Sequence, residues 1–91
     1  MTTAVLDRAW VLSPQVSVRP ERFGALLYHF GNRRLSFLKD PRLLTVVQSL
    51  GDAPSAREAC TLAGVDPGAL PAYEHALARL ADTDMLREQV R

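Results

Sequence analysis

The sequence has a single cysteine, Cys60, and only two histidines among its 91 residues. One cysteine excludes an internal disulfide, and it excludes a metal or iron–sulfur site built from several cysteines. The two histidines, His29 and His75, lie far apart, and neither has a carboxylate or a cysteine at the spacing of metal ligands. We therefore expect no bound metal and no cofactor.

Long apolar runs are also lacking. None approaches the ~20 residues of a membrane-spanning helix, and no N-terminal run is typical of a signal peptide. The expected compartment is therefore the cytoplasm, with no membrane partner. The net charge is only +1, but residues 1–40 carry six basic and three acidic side chains, and residues 41–91 carry five and seven. Electrostatic attraction for a partner thus belongs to the first half of the chain.

Arrangements of residues typical of catalysis are missing as well. The serines lack the context of a nucleophile elbow, and no glycine-rich loop is suited to a phosphate. Asp82 and Asp84 form a pair of carboxylates, but they lie at a helix end and in solvent. Cys60 is better explained as a small buried hydrophobic residue than as a nucleophile. The sequence predicts that the protein is not an enzyme.

What the chain does contain is a clear β-hairpin signal at residues 24–38. Gly31-Asn32 tolerates the backbone of a tight turn, and β-prone runs lie on both sides of it. In the first of these runs alternate side chains share one face, and we expect that face to anchor the helices: Leu26, Tyr28 and Phe30. Residues 15–19 predict a strand at the outer side of the sheet, because prolines bracket it.

Three helices follow the hairpin. Asp40 suits the N-cap of the first helix, Pro41 its first position and Gly51 its C′ position. Ser55 begins the second helix, with Glu58 at capping-box spacing.

The second helix ends at Gly64, and the third spans about 70–81. Its predicted buried line is made of apolar residues at helical spacing: Leu70, Tyr73, Leu77 and Leu80. Met85-Leu86 is expected to fold back over the core.

The resulting order is β-β-β-α-α-α, with short connections. It predicts a single α+β domain spanning 1–91, in which three helices cover a three-stranded antiparallel sheet in a winged-helix-like arrangement. Residues 1–9 are expected to be flexible.

A winged-helix DNA-binding regulator is one functional reading, but the third helix suits it poorly. That helix offers only Glu74, His75 and Arg79 to a DNA groove, within the acidic half of the chain. No nucleic-acid partner is therefore expected.

The free edge at residues 34–38 favours a different function. It has no proline and one charge, so it is poorly protected unless a partner covers it. A peptide added there as a strand would form about five main-chain bonds, too few alone for a micromolar complex. An apolar groove beside the third helix, near Tyr73, Ala76 and Leu77, would then contribute the rest of the binding free energy. A third reading is that the same edge pairs with itself in a homodimer.

The β-β-β-α-α-α order is similar to that of the precursor-peptide recognition elements, or PqqD-like family. Within it, the chain resembles the mycofactocin biosynthesis chaperones in three segments: Trp10-x-Leu12-x-Pro14, Val18-Arg19-Pro20-Glu21-x-Phe23-Gly24-Ala25-Leu26-Leu27-Tyr28, and Leu35-Ser36-Phe37-Leu38. The resemblance implies a non-catalytic chaperone that binds the leader of a ribosomally made precursor peptide. It also implies a partner, a radical S-adenosylmethionine maturase, which would hold the iron–sulfur clusters.

In relatives the leader lies along the third strand, beside the third helix. The resemblance therefore implies two groups of peptide-binding residues. The strand contributes Arg34, Leu35, Ser36, Phe37 and Leu38. The helix contributes Tyr73, His75 and Ala76.

Overall fold

The computed structural model describes residues 5–22 and 24–89 of the chain. Its strands are β1 (Trp10–Leu12), β2 (Val16–Glu21), β3 (Gly24–His29), β4 (Leu35–Leu38) and β5 (Leu86–Glu88). Its helices are α1 (Pro41–Ser49), α2 (Ala56–Leu62) and α3 (Leu70–Asp82). Short 3-10 turns occupy Val5–Asp7, Leu50–Asp52 and Pro67–Ala69.

The main sheet is antiparallel and has the order β2-β3-β4. The predicted hairpin is formed by β3 and β4, and β2 lies at the opposite edge, as predicted from its prolines. Pro20 lies within β2 and does not end it. Together with three helices, this sheet confirms the α+β class. At the end of the hairpin the backbone of Gly24 lies so close to β4 that an added Cβ would stand 1.7 Å from the carbonyl oxygen of Leu38.

The hairpin faces the helices with the side opposite to the one predicted. Ala25 and Leu27 are fully buried in the core, whereas Phe30 is 63% exposed. Leu26 and Tyr28 are only half-buried, on the other face of the strand. The prediction that Leu26, Tyr28 and Phe30 anchor the helices is therefore wrong. Because β3 is apolar on both faces, alternation alone does not tell which face is covered.

A histidine closes the turn of the hairpin. His29 is 6% exposed, and its Nδ1 accepts hydrogen bonds from the backbone N–H groups of Gly31 at 3.0 Å and Asn32 at 3.1 Å. The side-chain Oδ1 of Asn32 in turn accepts from the N–H of Arg34 at 2.9 Å. The turn is thus fixed by side-chain acceptors for its own amides, which explains why a polar ring is buried at this position.

Both predicted N-caps are confirmed. The carboxylate of Asp40 accepts from the N–H of Arg42 at 2.9 Å, and the hydroxyl of Ser55 accepts from the N–H of Glu58 at 3.2 Å. Helix α2 ends before Gly64, which has a φ of +82°.

Gly51 follows Leu50, the C-cap of α1, and so occupies the predicted C′ position. Its φ is not positive, and the chain continues from the helix into a 3-10 turn. The bounds predicted for α3, 70–81, agree with the observed Leu70–Asp82.

The two ends of the described chain form a second, small sheet, which the sequence did not reveal. β1 pairs with β5, with Val11 opposite Arg87. Met85 and Leu86 are buried, as the predicted fold-back of this segment requires. Within the described part of the chain, eighteen buried hydrophobic residues from the helices, both sheets and the turns and loops form the core.

Residues 5–9, expected to be flexible, form part of this structure. Leu6 is 3% exposed, the Nε1 of Trp10 donates to the carbonyl of Val5 at 2.9 Å, and Arg8 forms an ion pair with Glu88. Residues 1–4, to which the same prediction applied, lie outside the described residues.

Candidate functional site

The free edge of β4 is the starting point of the candidate site. Among the residues that the structure describes, β4 pairs with β3 on one side and with no strand on the other. The N–H of His29 donates to the carbonyl of Arg34 at 3.0 Å, which makes these two residues a hydrogen-bonded pair. In an antiparallel ladder such pairs alternate with pairs that are not hydrogen-bonded. With the observed register, Ser36 and Leu38 direct their peptide groups at β3, and Leu35 and Phe37 direct theirs at the free edge.

This register changes the number of bonds that a partner strand can form. Within β4, two N–H groups and two carbonyls, those of Leu35 and Phe37, face outward. A partner strand can therefore form four main-chain hydrogen bonds with β4, compared with the five expected across residues 34–38. At about 1 kcal/mol net each, they are worth about 4 kcal/mol.

A groove of about 410 Å³ lies along this edge. One side of it is formed by β4 and the residue that follows, and the other side by α3, with one residue of α1 between them. The lining residues are Leu35, Ser36, Phe37, Leu38, Lys39, Leu43, Ala76, Arg79, Leu80 and Thr83. Four of the predicted strand residues and one predicted helix residue, Ala76, are thus brought together.

The residues contributed by α3 and its C-cap residue, Thr83, follow one helical stripe. Ala76, Arg79, Leu80 and Thr83 have the spacing i, i+3, i+4 and i+7, so they share a face. The sequence-based prediction missed three of them, Arg79, Leu80 and Thr83, as well as Lys39 and Leu43. Their helical spacing was visible in the sequence, but which stripe faces β4 depends on how α3 packs.

Three predicted residues do not line this groove. Arg34 precedes β4 and lies in the turn, where its N–H is bonded to Asn32. His75 is on the exposed side of α3. Tyr73 lies at the N-terminal end of α3 and lines a neighbouring depression of about 520 Å³ instead. Leu77, for which a core position was the favoured explanation, is fully buried.

Tyr73 connects α3 to the start of α1. Its hydroxyl donates to the carboxylate of Asp40, the residue that caps α1. Burial raises the pKa of Tyr73 to about 12, and the hydrogen bond and the negative charge of Asp40 add to this shift, against the opposing charge of Arg42. Arg42 itself donates to the carbonyl of Gly64 at 3.1 Å. At neutral pH Tyr73 is therefore a hydrogen-bond donor that holds two helices together beside the groove.

A reactive cysteine and a metal site are two further kinds of chemistry that a functional site could use. Cys60 is buried in the core, and this burial raises the pKa of its thiol, with Arg57 acting in the opposite direction. Both features describe a structural cysteine rather than a nucleophile. Across residues 5–22 and 24–89, no group of three or more histidine, cysteine or acidic side chains is placed to hold a metal ion. In the same part of the chain, no helix is long and apolar enough to cross a bilayer.

Comparison with known proteins points to one family. The profile of the Peptide chaperone MftB family matches residues 9–87 of the chain. The chain is 60% identical over 80 residues to the Peptide chaperone MftB of Mycobacterium tuberculosis (strain ATCC 25618 / H37Rv), an alignment that covers 88% of this chain and 73% of the relative. It is 58% identical over 83 residues to the protein of the same name from Mycobacterium ulcerans (strain Agy99), covering 91% and 76%. No solved structure matches the chain.

Proposed function

Because the chain belongs to the Peptide chaperone MftB family, we propose that it binds the leader of the mycofactocin precursor peptide as an added strand on β4. The chaperone would then present the peptide to a radical S-adenosylmethionine maturase. The family name describes a chaperone, a non-catalytic role. The cytoplasmic location, the winged-helix-like arrangement and a possible homodimer remain predictions from the sequence.

One observation carries this proposal: the outward peptide groups of Leu35 and Phe37 lie directly beside a groove that is lined by both apolar and polar side chains. A peptide strand would use both features, since its backbone pairs with β4 and alternate side chains enter the groove. The four backbone bonds supply about half of the ~8 kcal/mol of a micromolar complex. Leu35 and Phe37 are 64% and 49% exposed, so peptide contact with their side chains would supply apolar burial toward the remainder.

The groove also suggests which peptide it prefers. Two cationic side chains, Lys39 and Arg79, line it, and none of its lining residues is acidic. A peptide with apolar residues at alternate positions and carboxylates near the groove would therefore bind best.

The DNA-binding reading is not favoured. Arg79 is the one basic side chain of α3, and the same helix carries Glu74 and Asp82. A helix with this balance of charges gains little from phosphate contacts.

A pair of alanines on α3 provides the test. Ala76 lines the groove and Ala72, one turn earlier, is exposed and does not. We expect Ala76→Arg to fill the groove and lower the affinity for a synthetic leader peptide by about tenfold or more, measured by calorimetry. Ala72→Arg adds the same side chain to the same helix and should leave the affinity unchanged.

Equal affinities of the two variants for the peptide would contradict the groove as the binding site. A salt titration with duplex DNA, made alongside, tests the alternative. Specific affinity for DNA without affinity for the peptide would favour the regulator reading.

A further inference from the structure

The face of the main sheet that turns away from the helices is largely apolar. In the observed register, Leu26 lies directly opposite Phe37, and Tyr28 directly opposite Leu35. Phe30 follows at the end of β3, and its ring stands edge-on to Tyr28 with 5.2 Å between ring centroids. We call these five residues the outer patch.

The outer patch is open within the described part of the chain. Phe30 and Leu35 are 63% and 64% exposed, and Phe37 is 49% exposed. Leu26 and Tyr28 do not pack on the core cluster. A contiguous apolar face with three aromatic rings is typical of an interaction surface rather than of the free surface of a monomer.

The charge around the outer patch indicates what kind of surface fits it. Residues 16–39, which contain the patch, carry five basic side chains and one acidic side chain, whereas the rest of the chain carries six basic and nine acidic ones. Arg19 lies on the outer face, since it is paired with Leu26. Lys39, the residue that follows β4, is exposed at the end of the same strand. Among the described residues, neither Arg19 nor Lys39 forms an ion pair. The complementary surface therefore has an apolar centre and carboxylates at its rim.

The outer patch is also continuous with the proposed peptide site. Leu35 and Phe37 belong to both, because β4 is the edge strand of the sheet. A peptide strand added to β4 would direct every second side chain to the outer face, next to these two residues. A protein seated on the outer patch would therefore touch the bound peptide directly.

From these observations we infer that the outer patch is the docking surface for the peptide-modifying enzyme, which meets it with an apolar surface rimmed by acidic residues. This inference rests on the proposed function. It adds that the enzyme contacts the outer face of the sheet and the bound peptide together, and that it does not contact the helices.

The test uses one residue of the outer patch and one residue at its rim, neither of which lines the groove. Phe30→Glu places a charge in the patch, and Arg19→Glu reverses the charge at its rim. Leu62, on α2, is 72% exposed and provides the matched control, Leu62→Glu. Binding of each variant to purified radical S-adenosylmethionine maturase is measured by biolayer interferometry, with and without leader peptide, and peptide binding is measured separately by calorimetry.

We expect Phe30→Glu and Arg19→Glu each to weaken enzyme binding by about tenfold, the size of the effect of one important interface residue. Peptide affinity should stay within about twofold of the wild type, as should both affinities of Leu62→Glu. For the wild type, enzyme affinity should fall as salt is added, because the rim contacts are between charges.

Unchanged enzyme affinity in both patch variants, or an equal loss in Leu62→Glu, would overturn the inference. Sedimentation could also overturn the inference. If the wild type alone dimerises and Phe30→Glu abolishes the dimer, a second copy of the chain occupies the patch. Absence of peptide binding by the wild type would instead refute the proposed function, and the enzyme titration without peptide would still report on the docking surface.

Discussion

The backbone N–H of His29 donates to the carbonyl of Arg34 at 3.0 Å, and this bond determines which peptide groups of β4 stay unpaired. Since bonded and non-bonded pairs alternate, Leu35 and Phe37 face outward and Ser36 faces β3. Loss of the N–H group of Phe37 should therefore weaken peptide binding, whereas loss of the N–H group of Ser36 should destabilise the fold.

Proline substitutions in β4 separate these effects. Phe37→Pro removes an outward N–H, which an edge strand tolerates. Relative to Phe37→Ala, which loses the ring but keeps the N–H, we expect about fivefold weaker peptide binding by calorimetry, equivalent to one bond of ~1 kcal/mol. Ser36→Pro removes an N–H that pairs with β3, so it should instead lower the free energy of unfolding. Equal peptide affinities of Phe37→Pro and Phe37→Ala would argue against strand addition at this residue.

The buried histidine of the hairpin turn gives a second prediction. His29→Phe keeps an aromatic ring at this position, but it removes the Nδ1 that accepts from the N–H groups of Gly31 and Asn32. We expect a loss of about 1–2 kcal/mol in the free energy of unfolding, measured by urea denaturation. The exposed histidine provides the control, and His75→Phe should change the value by less than about 0.5 kcal/mol. Similar values for the two variants would show that the Nδ1 acceptor does not stabilise the turn.

The N-terminal segment gives a third prediction. Leu6 is 3% exposed in the core, and Leu62 on α2 is 72% exposed. Leu6→Ala should therefore destabilise the protein by about 2–4 kcal/mol, since it removes buried methyl groups and leaves a cavity. Leu62→Ala should be nearly neutral in the same denaturation experiment. A neutral Leu6→Ala would mean that residues 5–9 do not contribute to stability in solution.

Alkaline pH tests the contact between Tyr73 and Asp40. The pKa of Tyr73 is raised from 10.0 to about 12, chiefly by burial. Between these values the folded protein holds more protons than the unfolded chain, so the free energy of unfolding should fall as pH rises from 10 to about 12. The thiol of Cys60 also has a raised pKa. The stability measurement, and the absorbance measurement described next, are therefore both made on protein that carries Cys60→Ala.

In that background, adding Tyr73→Phe should make the loss of stability over this range clearly smaller. Difference absorbance of tyrosinate, the background protein minus the double variant, reports the titration of Tyr73 itself. A midpoint near 10 would contradict the burial and the hydrogen bond described above.

Local signals in the sequence predicted much of this fold. Asp40 and Ser55 cap helices through contacts two or three residues away. The hairpin was also predicted, but its turn is longer than the tight turn expected at Gly31-Asn32, and its positive φ is at Arg33. Such features depend on few residues, so they can be read without knowing the rest of the molecule.

The features that were missed all depend on distant parts of the chain. β1 and β5 pair across almost the entire length of the sequence, and nothing in Trp10–Leu12 indicates its partner. The buried face of β3 could not be chosen because Leu26 and Leu27 are equally apolar. Likewise, Tyr73 and Arg79 are both one-turn neighbours of Ala76 on α3, and only the packing of the helix determines which of them lines the groove.

The most direct test of strand addition is amide hydrogen exchange of β4, followed by NMR with and without the leader peptide. In the free protein the N–H groups of Leu35 and Phe37 should exchange fast, and those of Ser36 and Leu38 slowly, since they bond to β3. At saturating peptide we predict that Leu35 and Phe37 become protected by about tenfold or more. Binding of the peptide with no change in exchange at these two residues would contradict the account.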